Sequence, residues 1–459
     1  MGDTSLTRHP QSAIRHSPSV SPARREAFRI LLRVETEQAY ASNLLASRKL
    51  DTLSSEDRGL TYELVLGVLR WQRRLDYFIE RYARRPVKKL DVPVVLALRL
   101  GLYQIRFLGR IPEWAAVDES VQLVKQHGLG SAGRLVNAVL RQACRQRQDV
   151  AGEDAKDEWD RLSIELSHPR WLVEKWVRQF GREEASALMQ ANNTTPRTAL
   201  RLNALRGELA DIRSQIERKG IRLEPSPNVP GAYIVTEGTL TNDSPLVREG
   251  WVYLQDEASQ LIAHMLAVKP GSSALDLCAA PGGKTSQLAV EMKNTGLILA
   301  GDLHLHRLHV LQRTCRRLGT AIVSPIALDG TQPLPFLPRT RFDRVLVDAP
   351  CSGTGTIRRH PEIKWRLRPE GFEALAGTQL RLLKSAAPFV APGGRLVYST
   401  CSLEPEENQA VVEKFLAEET QLQLVRPQID DNLIDPSGYV KTLPHRHSMD
   451  GFFAAVFRK

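Results

Sequence analysis

Two cysteines at matching places in consecutive apolar runs mark where this chain could form a transient covalent bond. The first run ends Val345-Leu346-Val347-Asp348-Ala349-Pro350-Cys351-Ser352-Gly353-Thr354-Gly355, and the next ends Tyr398-Ser399-Thr400-Cys401-Ser402. A thiolate is a nucleophile that can add to an electron-poor carbon and split one difficult step into two easier ones. Asp348 closes its run where it can face the reacting centre, and a carboxyl in a dry pocket can hold a proton there.

Upstream, Asp276-Leu277-Cys278-Ala279-Ala280-Pro281-Gly282-Gly283-Lys284-Thr285 stands between another apolar run and a helix expected to begin near Lys284. Small residues let a backbone approach a ligand closely, and a helix N-terminus offers amide donors. A phosphate-binding loop needs glycine where Cys278 stands, and no Gly-x-Gly-x-x-Gly occurs in this turn, so NTP hydrolysis and dinucleotide binding are disfavoured. The next run ends Ala300-Gly301-Asp302, where an acidic side chain can bind both hydroxyls of a ribose. Asp329, after the run that follows, is expected beside an adenine. Taken singly, each of these aspartates reads equally well as a helix cap; their recurrence at one sheet edge favours a nucleoside ligand.

The elements that must position these residues follow from hydrophobic patterning. Short apolar runs at 268–277, 297–302, 321–328, 344–348 and 395–399, separated by helical stretches, read as buried parallel strands of a doubly wound, Rossmann-like α/β sheet. Residues 451–457 supply a last strand, expected antiparallel. Ligand sites in such sheets lie at the carboxyl ends of the strands. Before this domain, apolar residues return at helical spacing (Ala27, Ile30, Leu31, Val34; Leu64, Val65, Val68, Leu69; Val94, Val95, Leu98, Leu102), giving an all-helical module. Between the two, strand-like pieces at 199–203 and 233–235 around a helix at 209–219 predict a small α/β connector. The expected boundaries are a disordered tail at 1–22, the helical domain at 23–150, an acidic linker at 148–159, the connector at 165–250 and the Rossmann-like domain at 251–459.

Asp-Ala-Pro-Cys-Ser-Gly together with Ser-Thr-Cys-Ser resembles the RNA cytosine-C5 methyltransferase family. The segments Val117 to Lys125 and Gly133 to Arg141 resemble the NusB antitermination-factor fold, a helical RNA-binding domain, which points to the bacterial ribosomal-RNA branch of that family, of Sun/Fmu type. The resemblance implies S-adenosylmethionine as cofactor, held over Cys278, Ala279, Ala280, Pro281, Gly282, Gly283 and Lys284, with Asp302, Asp329 and Asp348 completing its site. It implies small-subunit ribosomal RNA as substrate. Cytosine C5 is a poor nucleophile, so a thiolate must first add to C6 and make the ring enamine-like. The family's motif positions give that role to Cys401, whereas DNA cytosine methyltransferases use the cysteine of a Pro-Cys motif, which corresponds to Cys351. Cys351 is then expected to assist elimination and Asp348 to bond the N3 or N4 edge of the base. Lys284 either stabilises the thiolate or closes the helix turn, and both readings stand at this stage. The rivals are a transfer-RNA or DNA cytosine methyltransferase, and a noncatalytic NusB-like RNA-binding factor.

Composition bounds the rest. The chain has 459 residues, beyond the size of one hydrophobic core, and its net charge of +11 favours a polyanionic partner. Arg70, Arg73, Arg74, Arg81, Arg84, Arg85, Lys88 and Lys89, interleaved with Trp71, Tyr77 and Tyr82, suit phosphate contacts with base stacking, as do Arg358, Arg359, Lys364, Trp365, Arg366 and Arg368. The alternative for both groups is an ordinary solvated surface. Five cysteines without paired close spacing fit a reducing cytoplasm. No secretion signal, myristoylation site or membrane span is recognised, since Leu6 occupies the position of the acylation Ser/Thr and Arg99 and Arg106 interrupt the most apolar stretch. His304, His306 and His309 lack the accompanying ligands of a zinc site, so no metal is expected. His445-Arg446-His447 is expected in a loop near the active site, as a phosphate contact or a solvated turn. A monomer is expected.

Overall fold

The computed structural model describes residues 20–146 and 151–459. Residues 1–19 of the expected tail and 148–150 of the expected linker lie outside these. The chain divides into two compact units, residues 1–167 and 168–459.

The first unit is helical. Its longer helices are Pro22–Thr36, Ser55–Arg70, Gln72–Ala83, Val92–Phe107, Glu113–Gln126 and Gly133–Arg145, followed by Glu158–Glu165. The first begins inside the span expected as tail, with a proline in its first turn, where a missing N–H costs nothing. Val92–Phe107 is apolar on nearly every side because it runs through the centre of the unit, burying Val94 to Gln104. The acidic stretch is not an open linker: Asp157 caps Glu158–Glu165, and Glu153 and Asp154 pair with Arg81. Nor does the basic, aromatic cluster form one surface. Arg70 and Tyr77 are buried, Arg73 pairs with Asp160 and Trp71 packs on Phe107, which leaves Arg84, Arg85, Lys88 and Lys89 exposed.

The second unit opens with helices Arg170–Phe180 and Arg182–Asn192 and then a four-stranded sheet. Its strands are β1 (Ala199–Leu202), β2 (Arg222–Pro225), β3 (Ala232–Glu237) and β4 (Val252–Leu254), in the order β2-β3-β1-β4. β4 lies past the expected boundary at 250; it pairs antiparallel with β1, Leu200 opposite Leu254, and so belongs to the connector sheet. Helix Leu209–Glu217 closes one face through Ile212 and Ile216, which pack with Leu200, Leu223 and Val252.

The larger sheet holds β5 (Ser273–Asp276), β6 (Leu297–Asp302), β7 (Val323–Ala327), β8 (Phe342–Asp348), β9 (Val390–Thr400), β10 (Gln423–Leu424), β11 (Val440–Thr442) and β12 (Phe452–Arg458). The central strands, in the order β7-β6-β5-β8-β9, are parallel. β12 joins antiparallel to β9, with Ser399 opposite Ala454, and β10 and β11 flank it. Leu275, Val345, Val347, Leu396 and Tyr398 point into one core with Leu382 and Leu383, while Ala274, Leu346 and Val397 point into the other with Leu261, Ile262 and Leu288. Successive side chains leave opposite faces of a strand, and both faces are covered by helices, which is why these strands read as unbroken apolar runs.

Candidate active site

Strand order reverses between β5 and β8, and a crevice is expected where neighbouring strands send their connections to opposite faces. β5 and β8 are neighbours, with Asp276 opposite Leu346, and β8 and β9 are neighbours, with Asp348 opposite Ser399, so the three strands end at one edge. Parallel pairing in register therefore delivers the glycine-rich loop and both cysteine turns to one edge.

The Cys351 and Cys401 sulfurs are 3.2 Å apart, and the Cys401 N–H donates to the Cys351 sulfur at 3.3 Å. The bond to Cys401 first, and burial second, push the Cys351 thiol well above its ordinary range, so it remains a proton carrier at neutral pH. Lys284 Nζ lies 2.7 Å from Asp348 Oδ2, and the Ser399 hydroxyl donates to Asp348 Oδ1 at 2.8 Å. Burial alone would lower the Lys284 pKa; the carboxylate of Asp348, with smaller contributions from Cys401 and Asp276, outweighs it and raises the ammonium's pKa. Lys284 thus keeps a positive charge in the electrostatic neighbourhood of Cys401, 5.1 Å over the Phe452 ring.

Both cysteine turns are pinned by one residue, Glu407, which is fully buried. Its Oε1 accepts from Ser352 N at 2.9 Å and Gln379 Nε2 at 3.0 Å, and its Oε2 accepts from the hydroxyls of Ser352 and Ser402. Ser352 and Ser402 immediately follow the two cysteines, so a single carboxylate sets the approach of the two loops. Gly355 N donates to Cys401 O at 2.9 Å and Gly451 N to Gly355 O at 2.8 Å; a Cβ on Gly355 would fall 1.9 Å from Gly451 O, which requires glycine here. Glu407 carried no signal in the sequence beyond an acidic run after Cys401, and nothing in that run said which carboxylate turns inward.

The connector braces the glycine-rich loop. Arg201 of β1, buried, donates to Gly283 O at 3.2 Å and Ser286 Oγ at 2.6 Å, and Tyr253 of β4 abuts Gly283. Gly282 has φ of 100°, a left-handed conformation that starts helix Gly283–Glu291. Burial and the nearby Asp276, Asp348 and Asp302 carboxylates raise the Cys278 pKa and keep that thiol neutral.

The chain matches the family described as 16S rRNA methyltransferase RsmB/F over residues 263–458, NusB over 21–145 and the ferredoxin-like domain of RsmF/B-type methyltransferases over 168–240. It is 37% identical over 446 residues to the probable ribosomal RNA small subunit methyltransferase B of Bacillus subtilis, covering 94% of this chain and 98% of that protein. It belongs to the RsmB/F methyltransferase family. The Pseudomonas putida ribosomal RNA small subunit methyltransferase B is 34% identical over 433 residues, 94% of this chain and 97% of that one. The crystal structure of PH0851 superposes with TM-score 0.82 at 28% identity, covering 96% of this chain and 100% of that protein.

S-adenosylmethionine is the cofactor of this methyltransferase. The residues present fit it. Asp302, only 3% exposed, ends β6 with Oδ1 accepting from His304 N at 3.0 Å and Oδ2 3.4 Å from Arg307, a carboxylate suited to ribose hydroxyls. Asp348 offers a second carboxylate beside the loop, where a sulfonium would find an opposite charge. Asp329, past the end of β7, is exposed and accepts from Thr331 N and Oγ1, which lowers its pKa.

The second basic group of this methyltransferase is not an open RNA-facing surface. Arg358 and Lys364 are buried, Arg358 and Arg359 pair with Asp450, Arg359 also with Asp256, and Lys364 Nζ donates to Asn193. Arg358 and Arg359 fasten the turn after Cys351 to Asp450, just before β12, and to Asp256, and Lys364 fastens it to Asn193; only Arg368 of the group is exposed. His445-Arg446-His447 ends a short helix, not a loop, and His445 and Arg446 both contact Glu184. Among the described residues no cluster of His, Cys, Asp or Glu is arranged for a metal, and no helix is long and apolar enough to cross a membrane.

Proposed function

We propose that this chain methylates C5 of a cytosine in small-subunit ribosomal RNA, in the cytoplasm, with Cys401 as covalent nucleophile. The observation that carries the reading is the contact between two sulfurs, of which Cys351 holds its proton and Cys401 has a cation, Lys284, nearby.

Cys401 adds through sulfur to C6 of the target cytosine, and electron density moves to C5. Asp348, held by Lys284 and Ser399, bonds the N3 or N4 edge, and a proton relayed through its carboxyl neutralises N3 as the adduct forms. When bound, S-adenosylmethionine supplies an electrophilic methyl on a sulfonium. After methylation water reaching the pocket takes the C5 proton, the C5–H electron pair becomes the C5–C6 double bond as the C6–S pair leaves with the Cys401 sulfur, and the proton on N3 returns through Asp348. Cys351, whose sulfur touches Cys401, is placed to assist that elimination and to keep the departing thiolate hydrogen-bonded. The target base must leave its stack to present its C6 and C5 faces to a thiol and a methyl donor, which gives the NusB-like and connector domains their purpose in holding RNA.

The test is to incubate the purified chain with unmodified 16S rRNA and methyl-labelled S-adenosylmethionine and digest the product to nucleosides. Label in 5-methylcytidine is expected, at one position by bisulfite sequencing. Label in any other nucleoside overturns the C5 assignment, and wild-type turnover by Cys401→Ser overturns the covalent step.

A further inference from the structure

The seam between the connector sheet and the methyltransferase sheet carries a cleft of about 550 Å³, lined by Arg206, Arg248, Arg313, Arg316, Arg317 and Trp251. One carboxylate, Glu249, lines it as well. Like charges brought together repel, so such a set persists only where other contacts hold it or where an anion is to be met. Some of the five are held. Arg317 donates to Val247 O and lies 5.4 Å over the Tyr253 ring, Arg206 donates to Arg317 O at 2.6 Å, and Arg248 pairs with Asp243 at 3.3 Å. Arg313 and Arg316 are exposed and make no side-chain hydrogen bond or ion pair among the described residues. They stand three residues apart on helix Leu305–Leu318, hence on one face of it.

That helix ties the cleft to the reaction. It begins just after Asp302, and with about 1.5 Å of rise per residue Arg313 lies on the order of 15 Å along it from the cofactor's strand end. A nucleic-acid strand several nucleotides long, its target base at the cysteines, can extend past this helix so that a phosphate outside the pocket meets Arg313. The guanidinium groups match phosphate in a planar, bidentate way, and Trp251, half-buried with its Nε1 donating to Glu249, provides a ring on which an unstacked base can lie. An acidic protein would meet the charge but has no use for that combination.

We propose that this cleft is an RNA-contact site outside the catalytic pocket, which grips phosphates of the substrate strand through Arg313 and Arg316 and stacks a base on Trp251. It rests on the reading that the substrate is RNA. The experiment measures affinity of the full chain for a 16S rRNA fragment across a salt series, together with KM, kcat and S-adenosylmethionine affinity. For Arg313→Ala/Arg316→Ala we expect RNA affinity to fall about tenfold and the log–log salt slope to flatten by about one to two units, with kcat and cofactor affinity unchanged. Arg313→Lys/Arg316→Lys should recover the slope, because the lost contribution is charge, and Trp251→Leu should weaken RNA binding without changing the slope. A double variant with wild-type affinity and slope, while the wild type binds RNA, overturns the inference alone. A wild type that binds no RNA overturns the proposed substrate first, and the inference with it.

Discussion

Cys351 and Cys401, separated by 50 residues of chain, bring their sulfurs to 3.2 Å. Both are free cysteines, and one thiol can donate to the other across this contact. Two ionised sulfurs at this distance would repel strongly, so ionising one keeps the other protonated. A contact this short favours at most one ionised sulfur, and Cys351 is pushed to keep its proton.

The division of labour is readable on a denaturing gel. Cys401→Ala is expected to form no adduct with RNA. Cys351→Ala is expected to accumulate a covalent protein–RNA species because elimination is slowed while addition is not. An adduct that persists in Cys401→Ala and vanishes in Cys351→Ala would reverse the assignment.

Glu407 touches neither the cofactor loop nor the sulfurs, yet it bonds the residues after both cysteines. Glu407→Gln replaces one acceptor oxygen with an NH₂ group among donors, so at least one loop must shift. Misplacement of reacting groups by about 1 Å costs on the order of 100-fold in rate. A fall in kcat of that order is expected, with S-adenosylmethionine affinity by calorimetry close to wild type. Equal losses in cofactor affinity and kcat would show general disorder of the domain instead.

Asp276 carries a pH dependence. Burial raises its carboxyl to about 7, although Thr285 Oγ1 donates to it at 2.7 Å. In the unfolded chain the group ionises near its ordinary value of about 4. The unfolded state therefore loses this proton first as pH rises. The contribution to stability is fully present below about pH 4, declines between there and about 7, and is gone above, a loss on the order of a few kcal/mol. Asp276→Asn should flatten the change in Tm between pH 5 and pH 7.5. A variant whose Tm follows the wild type's slope in that window would assign the dependence elsewhere.

β6, expected at 297–302, is observed over that span, and the strand expected at 344–348 starts only two residues earlier, because buried parallel strands must be apolar on both faces. β4 escaped because three residues carry too little periodicity to mark a strand. Arg358, Arg359 and Lys364 looked like a basic surface because linear spacing says nothing of Asp256, Asp450 or Asn193, which approach from remote segments. Arg206, Arg248, Arg313 and Arg316 drew no notice for the converse reason, being scattered in sequence and joined only by folding.

By itself the amino-acid order determined the chemistry on offer: two cysteine turns, a glycine-rich loop and strand-end carboxylates, all local words that residue type and spacing spell out. Only the tertiary structure decided which atoms meet. Parallel pairing of β5, β8 and β9 sets the sulfurs together and Lys284 against Asp348, and Glu407 locks the turns. Contacts of that kind depend on register and on side-chain direction across tens of residues, and no local pattern encodes them.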